Sequence, residues 1–520
     1  MKKYLIFILY VVFVSFRVSA QLSPKSYILK EDGKVLDKSL SQNPLSNSIT
    51  DIITIGDTVW LGTSRGVSLS VDGGNNWTNF YGQADFGTDN NSALGYYDGV
   101  LWSAGAKSTE VTGGQFLPAG TGLRFTTNYG ASWTSIPQPL DAETDTIEQY
   151  GINQIRALPV TVTIQNLVYD IAFTPNTIWI ATFAGGLRKS NDNGQTWKRV
   201  ILPPDYLNSI SPNDTLNFCL SPVNGNFCGE GNLNHRVFSV ISTDDSTLYV
   251  GTAGGINKST DNGISWVKFN AQNQLQPISG NFITALGFNN QSNTVWASTW
   301  KAENQAEFYG VSSSSDGGQS WRTFLRDERP HNFGFKFFDI LIPTDNGVFR
   351  SRDNGLTWIL PNSIVDDQSK ISLKTKVFYA ADSYQNNIWL GSDDGLVRIN
   401  ETPGTIWEGN WKIFFASQPL TANNETYCYP NPFNPRQEEL KIKFSTGGTE
   451  ANVTIRIFDF GFNYVRTVIQ NVSRNRDLEG PPEFWDGKDD NGSTVPNGVY
   501  FYRVDVGDNA AVYGKILVMQ

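Results

Sequence analysis

The sequence predicts an all-β fold, and three observations carry that expectation. One eight-residue pattern, Ser/Thr-X-Asp/Asn-X-Gly-X-X-Trp, occurs six times, at 70–77, 126–133, 190–197, 259–266, 314–321 and 351–358. No stretch of useful length sustains a 3.6-residue apolar period. Aromatic residues reach 13 % and glycines number 48, between Thr-, Val-, Ile- and Phe-rich runs. A pattern repeated at this scale marks an array of small units, each unable to bury its own apolar face alone.

The spelling of the repeat reads as a clamped turn between two strands. The acidic or amide residues Asp72, Asn128, Asp192, Asp261, Asp316 and Asp353 can accept hydrogen bonds from backbone N–H groups of their own turn. The glycine two residues later supplies a positive φ. Trp77, Trp133, Trp197, Trp266, Trp321 and Trp358 then swing back to pack on the adjoining strand. These twelve positions are structural in this reading.

A second phrase lies upstream of the boxes: an apolar strand, a short turn, then aromatic-apolar-Gly/Ala-Thr/Ser and another strand. It is seen at 49–70, 168–190 and 237–259, and without a box at 377–400. Each unit thus offers three short strands, the box turn and a fourth strand starting at or after the box Trp. Tandem four-stranded antiparallel units are the blades of a β-propeller, which protects strand edges by radial closure. Six boxed units and the boxless 377–415 unit predict seven blades over residues 45–415. Successive boxes are 37 to 69 residues apart, whereas a bare blade needs about 40–45. Insertions therefore fall at 81–92, 104–120, 136–165, 203–235 and 300–310, and long excursions on a rigid scaffold are common sites of recognition.

The ends of the chain read differently. Lys2 and Lys3, an apolar run over 4–16 and the small residues Val18-Ser19-Ala20 predict a cleaved signal peptide over 1–20, followed by an N-terminal segment, 21–44. No cysteine follows the cleavage site to carry a lipid, and no membrane span is expected in the mature chain. Residues 416–426 read as a polar linker. Beyond it, Pro430, Pro432 and Pro435 forbid helix, and alternation along 453–457 and 500–506 predicts about seven short strands in a small β-sandwich over 427–520.

Charge and composition exclude several function classes. Loss of residues 1–20 removes three cations and no acid, taking the net charge from −10 to −13, which disfavours nucleic acid and anionic membrane. With two His and three Cys, and neither HExxH nor CxxC, no metal site and no cofactor is expected. Cys219 and Cys228 flank a Pro/Gly/Asn loop and are disulfide candidates in an oxidising compartment. Cys428 reads as a partly buried small apolar side chain. The 486–492 stretch lacks the ligand spacing of an EF-type loop and reads as a polar hairpin turn.

The boxes resemble the Asp-box (bacterial neuraminidase) repeat of sialidases, oligoxyloglucan-type glycoside hydrolases, sortilin-type receptors and a plant photosystem-assembly factor. That resemblance implies a propeller, and these families share the turn while differing in their sites. The Tyr429–Pro435 phrase (YPNPFNP), Trp485-Asp486-Gly487 with Gly492, Asn497-Gly498-Val499-Tyr500-Phe501-Tyr502 and Lys515-Ile516-Leu517-Val518 resemble the C-terminal sorting domains of the type IX secretion system, and the Ig-like domain of flagellar hook-capping proteins. This implies an Ig-like sandwich, a partner in the type IX machinery, and delivery to the cell surface or medium by way of the periplasm.

Two function classes follow. One is a non-catalytic exported propeller that binds a glycan or surface protein through its loops. The other is a secreted polysaccharide hydrolase of oligoxyloglucan-hydrolase type. A sialidase is disfavoured. The sialidase resemblance would imply an Arg-Ile-Pro segment before the first box and three Arg from different blades, whereas no Arg-Ile-Pro exists and Arg124, Arg188, Arg350 and Arg352 adjoin box strands, where a solvated strand position explains them. A glycosidase needs two carboxylates across a cleft. Asp51 and Asp170, at equivalent places on innermost strands, and Asp339 in the sixth unit are the catalytic candidates. Trp296, Trp300, Tyr96 and Tyr97 are candidates to stack on sugar rings, against the alternative that they pack between blades.

Overall fold

A computed structural model of the protein describes residues 43–301, 307–368, 371–416, 420, 422–436, 439–478 and 480–520. The signal peptide, nearly all of the 21–44 segment and parts of the 416–426 linker and 300–310 insertion lie outside these residues. The described residues form strands and a single 3₁₀ turn, Leu233–His235. No helix among them is long and apolar enough to cross a membrane.

Seven antiparallel sheets follow one another along the chain. Their first strands are Ile49–Ile55, Asn90–Tyr97, Val168–Thr174, Val237–Ser242, Phe282–Asn289, Gly334–Lys336 and Phe378–Tyr384. Neighbouring first strands touch in order, and that of the seventh sheet returns against that of the first, closing the ring. Between the fifth and sixth sheets the link is Phe333 packed at Gly287. The fold is a β-propeller. Six sheets have four strands of their own; the sixth has three, with only an isolated bridge from Arg350 to Ile359 beyond them.

Second strands such as Thr58–Thr63 (TVWLGT), Thr177–Thr182 (TIWIAT) and Asn387–Ser392 (NIWLGS) are buried at nearly every position, because each sheet is covered on both faces by its neighbours. The glycine of that phrase answers to close approach. A Cβ on Gly391 would stand 2.8 Å from Ile49 Cγ2 of the next sheet, and one on Gly251 would stand 2.6 Å from Ile283 Cγ2. Trp60, Trp179 and Trp389 fill the sheet interfaces, each about 2 % exposed or less.

The box at 190–197 shows how the turns are built. Ser190 Oγ donates to Asp192 Oδ1 (2.7 Å) and accepts the Gly194 N–H (2.8 Å). Asp192 accepts the Thr196 N–H (2.9 Å) and hydroxyl (2.5 Å), and these donors hold its carboxyl down at about 2. Asn193 and Gly194 both take positive φ, and Trp197 Nε1 donates back to the Gly194 carbonyl (3.0 Å). Trp77, Trp266 and Trp321 are almost fully buried, whereas Trp197 is only half-buried.

The C-terminal strands form two further sheets, one of three strands and one of four. They share an apolar cluster in which Val453, Ile455, Ile457, Tyr502 and Val504 are fully enclosed. Phe433, set between the prolines, is buried against Trp485 (5.8 Å between rings). The module meets the seventh sheet through Lys441, whose Nζ lies 2.6 and 2.7 Å from the two oxygens of Asp394 and near the rings of Phe415, Tyr429 and Phe484.

Candidate functional site

A cavity of about 630 Å³ lies on the propeller axis. First strands of all seven sheets line it, over their middle and later residues. Among the described residues its acidic groups are Asp51, Asp170, Asp382 and the turn residues Asp244 and Asp245, and no described Arg, Lys or His lines it. At its edge Tyr97, 44 % exposed, stacks on Phe173 (5.6 Å, 12°), with half-buried Tyr96 beside it.

The first strands share a local irregularity that sets the carboxylates. In six of the seven sheets the pairing of first and second strands shifts by one residue at the same rung, between Ile49 and Asp51 and between Val168 and Asp170 for example. Such a bulge re-aims the following side chain. Asp51 Oδ2 accepts the Leu94 N–H of the second sheet (3.1 Å). Asp170 Oδ2 accepts the Val240 N–H (3.0 Å) and Ser239 hydroxyl (2.7 Å) of the fourth. Asp382 Oδ2 accepts the N–H (2.8 Å) and hydroxyl (2.9 Å) of Thr54, joining the seventh sheet to the first. Each carboxylate staples its sheet to the next. Burial deep in the cavity, with Asp51 nearby, pushes the Asp382 carboxyl up to about 6 despite these donors.

Asp339 is not one of this set. Phe337 turns the chain at φ 54°, so Asp339 opens the second strand of the sixth sheet and lies away from the cavity lining. It accepts from Arg350 (2.6 Å) and Arg352 (3.0 Å). Trp296 and Trp300 are likewise unavailable to a ligand. Trp296 is 2 % exposed against Phe324 and Trp358, and Trp300, 8 % exposed, donates Nε1 to the Pro330 carbonyl (2.9 Å). Both belong to a second strand covered on its two faces. Asp382, Asp244 and Asp245 escaped sequence reasoning: Asp382 stands two residues beyond the rung of Asp51, which Ala380 occupies in the seventh sheet.

Three of the four box-strand arginines are buried, contrary to the expectation of solvated positions. Arg124 pairs with Asp89. Arg188 forms a two-pronged pair with Asp141 (2.7 and 2.9 Å). Arg350 meets Asp339 and Glu401 (2.6 Å each), and Lys336 joins Glu401 at 2.5 Å. Charge-assisted, forked hydrogen bonds make such burial tolerable.

The 136–165 and 203–235 insertions assemble on the outer edge. Ile147–Tyr150, Asn153–Ala157 and Cys219–Leu220 form one small sheet, and Ser209–Ile210 adds a strand to the fourth sheet. Cys219 and Cys228 are joined in a disulfide. His235, buried behind them, accepts the Ser221 N–H at Nδ1 (3.1 Å) and donates Nε2–H to the Leu202 carbonyl (3.1 Å); burial lowers its pKa to about 4. Cys428 is half-buried, and burial pushes its thiol up to about 12. The 486–492 stretch is a turn in which Asp489 accepts the Asn491 and Ser493 N–H groups. Among the described residues no group of three or more His, Cys, Asp or Glu could hold a metal ion.

No protein-family model matches the chain. Among curated proteins it is similar to xyloglucanase Xgh74A of Acetivibrio thermocellus, with 26 % identity over 227 residues, 43 % of this chain. That match spans only 21 % of the xyloglucanase. Among solved structures, an ancestral GH74 enzyme superposes with a TM-score of 0.50 at 12 % identity, over 93 % of this chain and 63 % of its own. PorZ, described as an essential surface component of the type IX secretion system of Porphyromonas gingivalis, superposes at 0.41 and 14 % identity, over 91 % and 66 %. At these identities the structural likeness speaks to fold alone.

Proposed function

We propose that this chain is an exported propeller that binds a glycan without cleaving it, carried outward by its C-terminal module. One observation carries the non-catalytic part: Asp51 and Asp170 are committed to the backbone of neighbouring sheets, so the pair that would serve as acid and base instead holds the ring together. The similarity to a xyloglucanase over 43 % of the chain supports a glycan over a protein as ligand. Signal-peptide features and the sorting-domain resemblance of 427–520 support export to the cell surface or medium through the type IX machinery.

A hydrolase is the second reading, and a specific observation favours it. Asp382 lines the cavity with its carboxyl raised to about 6, the direction that suits a general acid. Purified residues 21–520 should therefore be run through gels containing xyloglucan and other neutral polysaccharides, with reducing ends assayed in parallel. Retardation without new reducing ends is expected. Reducing-end release abolished by both Asp382→Asn and Asp51→Asn would establish the hydrolase instead. Sialic acid release from a fluorogenic substrate is expected to be nil, since no arginine among the described residues lines the cavity.

A further inference from the structure

The contact between the seventh sheet and the C-terminal module sets one amine on one carboxyl under apolar cover. Lys441 lies on the module strand Leu440–Phe444, and Asp394 on the turn between Asn387–Ser392 and Leu396–Glu401 of the propeller. The Lys441 side chain is 1 % exposed, and its Nζ stands 2.6 and 2.7 Å from the two Asp394 oxygens. The rings of Phe415, Tyr429 and Phe484 lie 5.2, 5.8 and 5.9 Å from the same nitrogen. Glu439 stands two residues before Lys441, where an extended chain returns to the same face. Burial and the charges of Asp486 and Asp394 push its carboxyl up, against the pull of Lys374 at 4.0 Å and of Lys441. The Tyr429 hydroxyl is enclosed and has no hydrogen-bond partner among the described residues. Burial, with Tyr427 and Asp394 nearby, raises its pKa and keeps it a donor. Glu401 also meets a buried lysine, but there Arg350 grips both oxygens (2.6 and 3.0 Å) and fixes the anion. No arginine among the described residues reaches the Asp394 carboxylate.

We propose that Lys441 and Asp394 condense to an intramolecular amide, a covalent cross-link between the propeller and its C-terminal module. A bond forms between Lys441 Nζ and Asp394 Cγ, and one C–O bond of Asp394 breaks. Of the three ammonium protons, one stays on the amide nitrogen and two leave with the carboxylate oxygen as water. The ion pair thus becomes a neutral amide and one water, with no oxidant, reductant or co-reactant. Glu439 takes a proton from the nitrogen and returns one to the departing oxygen. The free Tyr429 hydroxyl donates to the oxygen that gathers charge while Cγ is tetrahedral. The docked contact supplies the proximity, and burial favours the step because it removes two desolvated charges together. The three rings then shield the amide from water. A ring and sandwich joined in this way stay together when the 416–426 linker is cut.

The test is intact-mass spectrometry of residues 21–520, reduced and denatured. The mass should be lower by one water than the sequence requires, and digestion should yield a branched peptide joining Lys441 to Asp394. After protease cleavage within 416–426, the propeller and module should remain one band on a reducing, denaturing gel. Lys441→Arg and Asp394→Ala should each restore the full mass and give two bands. Glu439→Gln should lose the water at least tenfold more slowly, with a cooperative melt to show that it folds. Full mass and two bands from the folded wild type would overturn the proposal and leave an ion pair. Loss of one water without the branched peptide would mark cyclisation at Asp394-Gly395 and overturn it equally. Water loss from Glu439→Gln at the wild-type rate would overturn the role given to Glu439.

Discussion

Trp266 is about 1 % exposed beneath its box, while Trp197, at the same repeat position, keeps part of its ring in solvent. Spacing identified both as packing residues but could not grade them, because the depth of each ring depends on the neighbouring sheet. Trp266→Ala should cost about 3–5 kcal/mol in urea denaturation and Trp197→Ala distinctly less. Equal losses would mean that the turn, and not ring burial, sets the value of the box. His235 was legible only as one of two histidines. In the fold it is neutral and buried, with a pKa of about 4 against an ordinary 6.5. Below pH 6.5 the unfolded chain binds a proton that the native state refuses, so its contribution is complete above 6.5 and declines towards pH 4. The melting temperature of the wild type should fall across that window more steeply than that of His235→Gln, which starts lower; parallel curves would show that His235 does not titrate with folding.

At the scale of strands and sheets, the repeated phrase revealed the second strands and box turns because their burial and turn chemistry are local. The bulges, the staples and the buried ion pairs depend on partners far along the chain, as Asp141 does for Arg188 and Glu401 for Arg350, and no local pattern announces them. Asp339 illustrates the limit: FFDI reads like VYDI, yet the sixth sheet's first strand is only Gly334–Lys336 and the turn at Phe337 moves the aspartate to the next strand. That sheet also lacks a full fourth strand, and beside the apolar cluster of Leu341 and Val348 with Phe378 and Leu390 it is tied to the seventh by Arg350, Lys336 and Glu401, the last with a fully buried side chain. Glu401→Ala leaves Lys336 without its partner and Arg350 with Asp339 alone, and should cost about 3–5 kcal/mol by chemical denaturation. A triple change of Lys336, Arg350 and Glu401 to Met, Met and Leu should recover most of that loss. If it does not, hydrogen-bond geometry and not uncompensated charge holds the two sheets together.

The whole molecule joins a ring to a sandwich through a compact contact. Lys441, almost fully buried, is clamped by Asp394 and bordered by Phe415, Tyr429 and Phe484, so the module is docked on the seventh sheet as well as tethered to it. Docking and export are separable properties under the proposed function. Lys441→Ala breaks the clamp but leaves the prolines, Phe433 and the sandwich core intact; removal of 427–520 takes away the module itself. In a bacterium with a type IX system, the Lys441→Ala protein should still reach the surface or medium, with increased protease cleavage within 416–426 because the module swings free. The truncated protein should accumulate in the periplasm as a folded propeller, recognised by an intact Cys219–Cys228 disulfide and a cooperative melt. Fractionation and protease shaving of whole cells read both outcomes. Surface delivery of the truncated protein would make the sandwich a structural accessory to the ring. Periplasmic retention of Lys441→Ala would mean that the docked pair, and not the module alone, is the exported unit.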